Sequence, residues 1–248
     1  MKNHPILFSG PMVRALLDGT KTQARRLMPG VDTSRNFSGM NDKGEIWVGF
    51  LGWIPPAYAL ANIGRCSRDC MPKYRAGDQL WVRETCRAVE HESGEDAVEY
   101  IADGSCIRIN NNLDAADRWG AMYHYGKVGP NDERREGAQV PSIHMPRWAS
   151  RLTLTVTDVR IQRLQDIGPS DAVAEGIKEV SGEWPNATKP AYQAYGQDAC
   201  YAGPSSSRLS FMTLWDSLNA ARAPWSLNPA VAVYTFTVTK QNIDRMTP

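Results

Sequence analysis

The sequence predicts an α+β fold built on a small, mostly antiparallel β-barrel with flanking helices and long loop insertions. Residues 151–157 alternate strictly between apolar and polar side chains, and residues 230–239 present two alternating sets, as β-strands do. The predicted elements follow the order β, α, β, β, β, α, α, β. Because strands outnumber helices in this order, a barrel with helices at its mouth is favoured.

The amino-terminal part of the chain predicts a strand, a short helix and a basic strand or turn. Residues 5–8 form an apolar run, and apolar side chains recur at helical spacing across residues 11–18. Gly19 then supplies the left-handed residue that ends such a helix. Residues 21–27 follow with three cations within six positions, so we expect this element to face an anion.

The middle of the chain predicts a strand and a short helix besides the alternating segment. A glycine turn leads into a strand over residues 79–84, with one core-like face and one polar face. Its side chains divide into Leu80, Val82 and Glu84 on the first face and Gln79, Trp81 and Arg83 on the second. A short helix opens at Pro169 and ends at Gly176, which places Glu175 near its terminus.

The last predicted helix precedes the final strand. Apolar side chains at i, i+3, i+4 and i+7 indicate an amphipathic helix over residues 211–218. One of the serines at 205–207 is expected to cap it.

Composition and charge limit the classes of function. The 248 residues are 42% hydrophobic and 22% charged, and the net charge is only +1, which argues against a generic nucleic-acid coat protein but permits a local basic cleft. No apolar run approaches the roughly 20 residues of a membrane span, and the apolar stretch after the first residues is too short for a signal peptide. We therefore expect a cytoplasmic protein without a membrane partner. The expected organisation is one domain, 1–248, with insertions near 28–72, 103–140 and 178–207.

The cysteines favour a reducing compartment. Five scattered cysteines do not suggest a disulfide framework. Cys66 and Cys70 have a spacing compatible with zinc, with Cys86 and His91 following, but no second tight pair completes the pattern, and free thiols are favoured. Since no phosphate-cradling glycine loop is present either, the sequence predicts no metal and no cofactor.

Four segments carry a resemblance to a known family. They are residues 5–10 with the helix and the run to Lys21, residues 77–84, residues 141–148 and residues 171–177. In this order they resemble ASCH-domain proteins of the PUA-like superfamily, in the long form common in phages and prophages. The resemblance implies a PUA-like β-barrel whose cleft binds RNA or a nucleotide-like ligand.

One branch of that family implies a catalytic constellation. Its members are amidohydrolases that remove the acyl group from N4-acetylcytidine with a Lys, a Thr three residues later and a Glu after the barrel strand. Lys21 matches the Lys and Glu175 matches the Glu, whereas Ala24 stands where the Thr is expected. The catalytic positions implied by the resemblance are therefore Lys21, Ala24 and Glu175.

Amide hydrolysis requires a nucleophile, a base and donors for the developing oxyanion. Burial and the neighbouring Arg25 and Arg26 disfavour the charged form of Lys21, so a neutral Lys21 is a candidate base. Glu175 is expected to orient Lys21 or to pass a proton to the leaving amine, although the same carboxylate would also hold Lys21 charged. The missing hydroxyl would have to come from Thr20, Thr22, Ser142 or water.

Residue 24 is the critical position for this hypothesis. Lys21 and Ala24 point to opposite faces of a regular strand, so a shared site needs a twist or bulge between them. We expect Ala24→Thr to raise hydrolysis of an N4-acylated cytidine. Ala24 is explained either as a binding-only or water-using variant, or as a change that disables the site.

Six side chains are candidates for holding the substrate. They are Arg25, Arg26, Trp81, Arg83, Ser142 and His144. Of these, Arg25, Arg26, Trp81 and His144 also have a purely structural interpretation. Three functions stay open: an amidohydrolase acting on N4-acylated cytidine or a related modified pyrimidine nucleoside, a non-catalytic PUA-like binder of RNA or modified nucleic acid, and, with the least support, a nuclease. The oligomeric state is not indicated.

Overall fold

The computed structural model describes residues 2–28, 40–48, 52–57, 71–91, 94–109, 113–126, 137–180, 191–195 and 205–246. In chain order the strands are β1 (Asn3–Leu7), β2 (Gln23–Leu27), β3 (Ile46–Val48), β4 (Gly52–Ile54), β5 (Gln79–Arg83), β6 (Cys86–Glu90), β7 (Asp96–Tyr100), β8 (Cys106–Arg108), β9 (Thr153–Arg163) and β10 (Ala230–Thr239). The α-helices are α1 (Gly10–Leu17), α2 (Leu113–Tyr123), α3 (Pro169–Ala174) and α4 (Ser207–Asn219). The fold is therefore a mixed α+β fold.

The chain forms two compact units. The first unit contains residues 1–18, 79–154 and 238–248, and the second contains residues 19–78 and 155–237. The boundary falls inside β9 after Leu154 and inside β10 before Val238.

The first unit combines a parallel strand pair with a separate antiparallel sheet. Strand β1 runs parallel to β5, and Ile6 lies opposite Val82. Strands β6, β7 and β8 form an antiparallel sheet in that order. Helix α2 packs Trp119 and Met122 into the same apolar cluster as Val98. This burial of apolar side chains holds the sheet and helix together.

The second unit contains most of β9 and β10 and all of β2, paired in that order, together with α3 and α4. Strand β10 pairs antiparallel with β2 in an unbroken register, with Tyr234 opposite Ala24. Helix α4 buries Phe211, Leu214 and Trp215, three of the four apolar positions that predicted it, whereas Leu218 is exposed. Strands β3 and β4 form an antiparallel hairpin.

Several local predictions are confirmed. Gly19 and Gly176 have φ angles of 75° and 91° and follow the helices that they were expected to end. Ser206 is the N-cap of α4, because its side chain accepts a hydrogen bond from the backbone nitrogen of Leu209. The last strand occupies residues 230–239 as predicted.

Other predictions need correction. Residues 103–140 were expected to be irregular, but their described part contains β8 and α2, and the preceding strands β6 and β7 were not predicted. The described part of the first insertion contains the β3–β4 hairpin. Among the described strands no closed barrel is found, and the structure supports only the coarser α+β class. Much of the third insertion, residues 181–190 and 196–204, lies outside the described residues.

Candidate active site

Lys21 and Glu175 are joined by both backbone and side chains within the second unit. Lys21 directly precedes the ladder of β2, and Glu175 directly follows α3, where an antiparallel bridge pairs the two residues. The Lys21 ammonium donates to the carboxylate Oε2 of Glu175 at 2.9 Å and to its backbone carbonyl at 2.7 Å. Their side chains are only 3% and 5% exposed, so the pair is shielded from water.

The end of α3 explains the position of Glu175. Pro169 occupies the first turn, where its missing N–H removes no helical hydrogen bond. Gly176 then takes a left-handed conformation that ends the helix. The backbone nitrogen of Thr22 donates to the carbonyl of Ala174 at 2.8 Å, which fixes the end of the helix against the approach to β2.

Arg25 holds the other oxygen of the Glu175 carboxylate. Its Nη1 donates to Oε1 of Glu175 at 2.8 Å, and its Nη2 donates to Oδ2 of Asp171 at 2.9 Å. Arg160 donates to the same Asp171 oxygen at 2.7 Å. We call these five residues, Lys21, Arg25, Arg160, Asp171 and Glu175, the Glu175 cluster. Three cations therefore face two carboxylates, an excess of one positive charge.

One donor of the cluster is unused. The Arg25 side chain is fully buried, and its Nε has no hydrogen-bond partner among the residues that the structure describes. The Phe211 ring lies with its centroid 5.7 Å from the guanidinium carbon. A buried donor without a partner costs free energy, so its presence calls for an explanation.

Burial and charge set the protonation states of the central pair. Burial lowers the pKa of Lys21; Glu175 opposes this shift, and Arg26 and then Arg25 add to it. Burial alone would raise the pKa of Glu175, but Lys21 and Arg25 together hold that pKa below its ordinary value. Glu175 is therefore ionised at neutral pH, and the neutral form of Lys21 is more accessible than that of a solvated lysine.

The Glu175 cluster includes two residues that the sequence-based site did not. Asp171 belongs to one of the segments that carried the resemblance, and it lies four residues before Glu175 on a predicted helix, which places both carboxylates on one face. Arg160 lies on β9, and no sequence spacing connects it to Asp171.

Ala24 and Arg26 share a face of β2. The ladder continues to Thr22, whose carbonyl accepts from the nitrogen of Phe236 at 2.9 Å, so no bulge interrupts it between Thr22 and Leu27. Lys21 precedes this ladder. The Lys21 ammonium and the Arg25 guanidinium both donate to the Glu175 carboxylate, and Arg25 lies on the face of β2 opposite Ala24. Ala24 is only 1% exposed.

Two tyrosines that the sequence did not indicate lie beside the face of β2 that carries Ala24 and Arg26. Tyr74 and Tyr234 are buried with ring centroids 5.1 Å apart, and the Tyr234 hydroxyl accepts from the backbone nitrogen of Lys73 at 3.0 Å. Burial raises the pKa of Tyr234 to about 12, so both phenols stay protonated at neutral pH. Burial also lowers the pKa of the half-buried Arg26.

The remaining predicted site residues lie in the first unit. The Arg83 guanidinium donates to the backbone carbonyl of Ile143, within the 3-10 turn Ser142–His144, and lies 5.3 Å from the centroid of the buried Trp81 ring. Ser142 is half-buried and His144 is exposed. Trp81, Arg83 and this turn are therefore neighbours, while Lys21, Arg25, Arg26 and Glu175 belong to the second unit.

Comparisons of the chain with known protein families, with curated proteins and with solved structures find no match. No described helix is long and apolar enough to cross a membrane. The described residues contain no cluster of His, Cys, Asp and Glu that could hold a metal ion. Cys66 and Cys70 lie outside the described residues.

Proposed function

We propose that this protein is an amidohydrolase that removes the acyl group from N4-acylated cytidine or a related modified pyrimidine nucleoside. The observation that carries the proposal is the buried hydrogen bond between the Lys21 ammonium and the Glu175 carboxylate, at 2.9 Å. Perturbed lysines paired with carboxylates at shielded sites are candidates for proton transfer. The proposal also assigns the chain to the PUA-like fold and to the cytoplasm.

The proposed reaction uses water as the nucleophile. Neutral Lys21 accepts a proton from water, and the resulting hydroxide forms a bond to the acyl carbon. The carbonyl electron pair moves to its oxygen, which accepts a hydrogen bond from the unused Nε–H of Arg25. The bond from the acyl carbon to N4 then breaks, and the proton passes from Lys21, oriented by Glu175, to N4. The products are a carboxylic acid and the free nucleoside.

Turnover of a free nucleoside tests this proposal directly. The full chain is incubated with N4-acetylcytidine, and the ultraviolet spectrum is followed as the exocyclic amide is lost. We expect turnover above a protein-free blank, with little dependence on salt. RNA binding that weakens steeply with salt, without any turnover, would instead identify a binding protein.

A binding protein is the second candidate, and Ala24 is the observation that favours it. Residue 24 is buried and carries no hydroxyl. The excess positive charge of the Glu175 cluster would then hold an electronegative group of a pyrimidine or a phosphate of RNA without breaking a bond.

Ala24→Thr separates the two candidates. We expect this change to raise the hydrolysis rate roughly tenfold or more, because it supplies the hydroxyl that the family resemblance implies at this position in place of a diffusible water. Ala24→Val is the matched control, since valine has the shape of threonine without the oxygen. Equal rates in the two variants would count against a nucleophile at this position.

A further inference from the structure

The first unit contains a cavity that the proposed function does not use. Its volume is about 460 Å³, within the range of roughly 300–1,000 Å³ typical of small-molecule sites. One wall comes from the β6–β7–β8 sheet and includes Ile107, and another comes from Trp148 and the chain after β10. All of its lining residues belong to the first unit.

The lining is strongly cationic. It includes five basic side chains and one acidic side chain, Asp244; the basic ones are Arg108, Arg118, Arg151, Lys240 and Arg245. Such an excess at the wall of a concave site raises the local concentration of anions.

Some of these charges are already neutralised. Arg151 is held by Glu84, with two hydrogen bonds of 2.8 Å, and by Asp103 at 2.9 Å. Arg108 pairs with Glu95. The acid Asp244 is itself paired with Arg147 at 2.6 Å, so it does not compensate the cavity.

Arg118 also has an interaction of its own, so two of the five cations are left over. Among the residues that the structure describes, neither Lys240 nor Arg245 has an ion-pair partner, although both line the cavity. Both side chains are exposed and can turn toward a ligand without breaking an existing pair.

The segment that carries both cations is held in place. The Asn242 side-chain amide donates to the backbone carbonyls of Arg147 at 2.9 Å and Ser150 at 2.7 Å. The Arg147–Asp244 pair adds a second attachment. Residues 240–245 are thus positioned before a ligand arrives, which reduces the entropic cost of binding.

The cavity lining also has an apolar and aromatic part, which limits the class of ligand. Trp148 is half-buried and lines the cavity together with Ile107 and Ile109. An indole face stacks well on planar heteroaromatic rings, whereas Lys240 and Arg245 suit an oxyanion. A ligand that satisfies both has a planar ring and a phosphate.

We propose that this cavity binds a nucleoside phosphate, either as a free mononucleotide or as a residue of a polynucleotide strand. The phosphate lies between Lys240 and Arg245, and the base lies against Trp148. This inference does not depend on hydrolysis at Lys21, because it rests on a cavity and charges of the first unit alone.

Calorimetric titration of the full chain tests the proposal. The four nucleoside 5′-monophosphates, adenosine without phosphate, inorganic phosphate and a single-stranded decanucleotide RNA are titrated separately. We expect a mononucleotide to bind at least roughly tenfold more tightly than adenosine, because a charged hydrogen bond contributes this much. If only the RNA binds, and the double variant described next weakens that binding, the ligand is a polynucleotide strand. If none of these compounds binds, the proposal is overturned.

A double variant locates the phosphate. Lys240→Gln with Arg245→Gln is expected to weaken binding at least roughly tenfold. Lys43→Gln with Arg75→Gln is the matched control, because it removes the same charge from two exposed positions of the second unit. An equal loss in both double variants would show an effect of net charge alone and would overturn the assignment of the site.

Discussion

Lys21→Met is expected to lower the rate of N4-acetylcytidine hydrolysis about 100-fold or more, which is the lower end of what a positioned base contributes. Methionine fills a similar buried volume, and Arg25 still donates to Oε1 of the Glu175 carboxylate. The variant should therefore fold while losing its proton acceptor. The measurement is the initial rate at saturating substrate, followed in the ultraviolet.

The pH dependence of that rate gives a second readout for Lys21. Because burial lowers the pKa of Lys21, the wild-type rate should rise with pH through that lowered pKa and then level off as the amine becomes neutral. This rise should be absent from Lys21→Met. Lys43→Met, the same change in an exposed turn, should keep both the rate and the profile. A variant at position 21 that retained the wild-type rate would refute the base assignment.

Glu175→Gln is expected to lower the free energy of unfolding by about 3–5 kcal/mol, the cost of leaving buried charge uncompensated. Glu175 neutralises both Lys21 and Arg25 inside a site that is almost closed to water. The amide has one oxygen, which can face one of the two cations, and it turns its N–H hydrogens toward the other. The measurement is urea unfolding, with the midpoint and slope compared between variants.

The control for this change is Glu90→Gln. Glu90 lies at the exposed end of β6, and surface substitutions of this kind usually change stability by about 0.5 kcal/mol or less. A loss below about 1 kcal/mol for Glu175→Gln would mean that Lys21 is largely neutral in the folded protein at the pH of the measurement.

The fold was predictable where the local pattern is strong. Alternation identified β10, and glycines at positions 19 and 176 marked two helix ends that the structure confirms. The pattern failed for β8, because all three of its residues are exposed and it has no inward apolar face. Helix α2 was missed because the described core residues that it contributes, Trp119 and Met122, make a short apolar stripe.

The candidate site could not be predicted from local sequence patterns alone. Lys21 and Glu175 are 154 positions apart, and only the family resemblance connected them before the structure. The four-residue spacing of Asp171 and Glu175 on a predicted helix could have added Asp171 to the predicted site. The pairing of Asp171 with Arg160 depends on where α3 lies relative to β9, and no local pattern encodes that placement.

Residue 24 takes no part in the hydrogen bonds of the Glu175 cluster, so it can change without breaking them. Arg25 is anchored by Asp171 as well as by Glu175, and the methyl group of Ala24 takes part in none of these bonds. Exchange of alanine and threonine at this position therefore leaves the ionic scaffold intact. Under the proposed function, this one substitution changes the source of the nucleophile from water to a side chain without rebuilding the ionic contacts around Glu175.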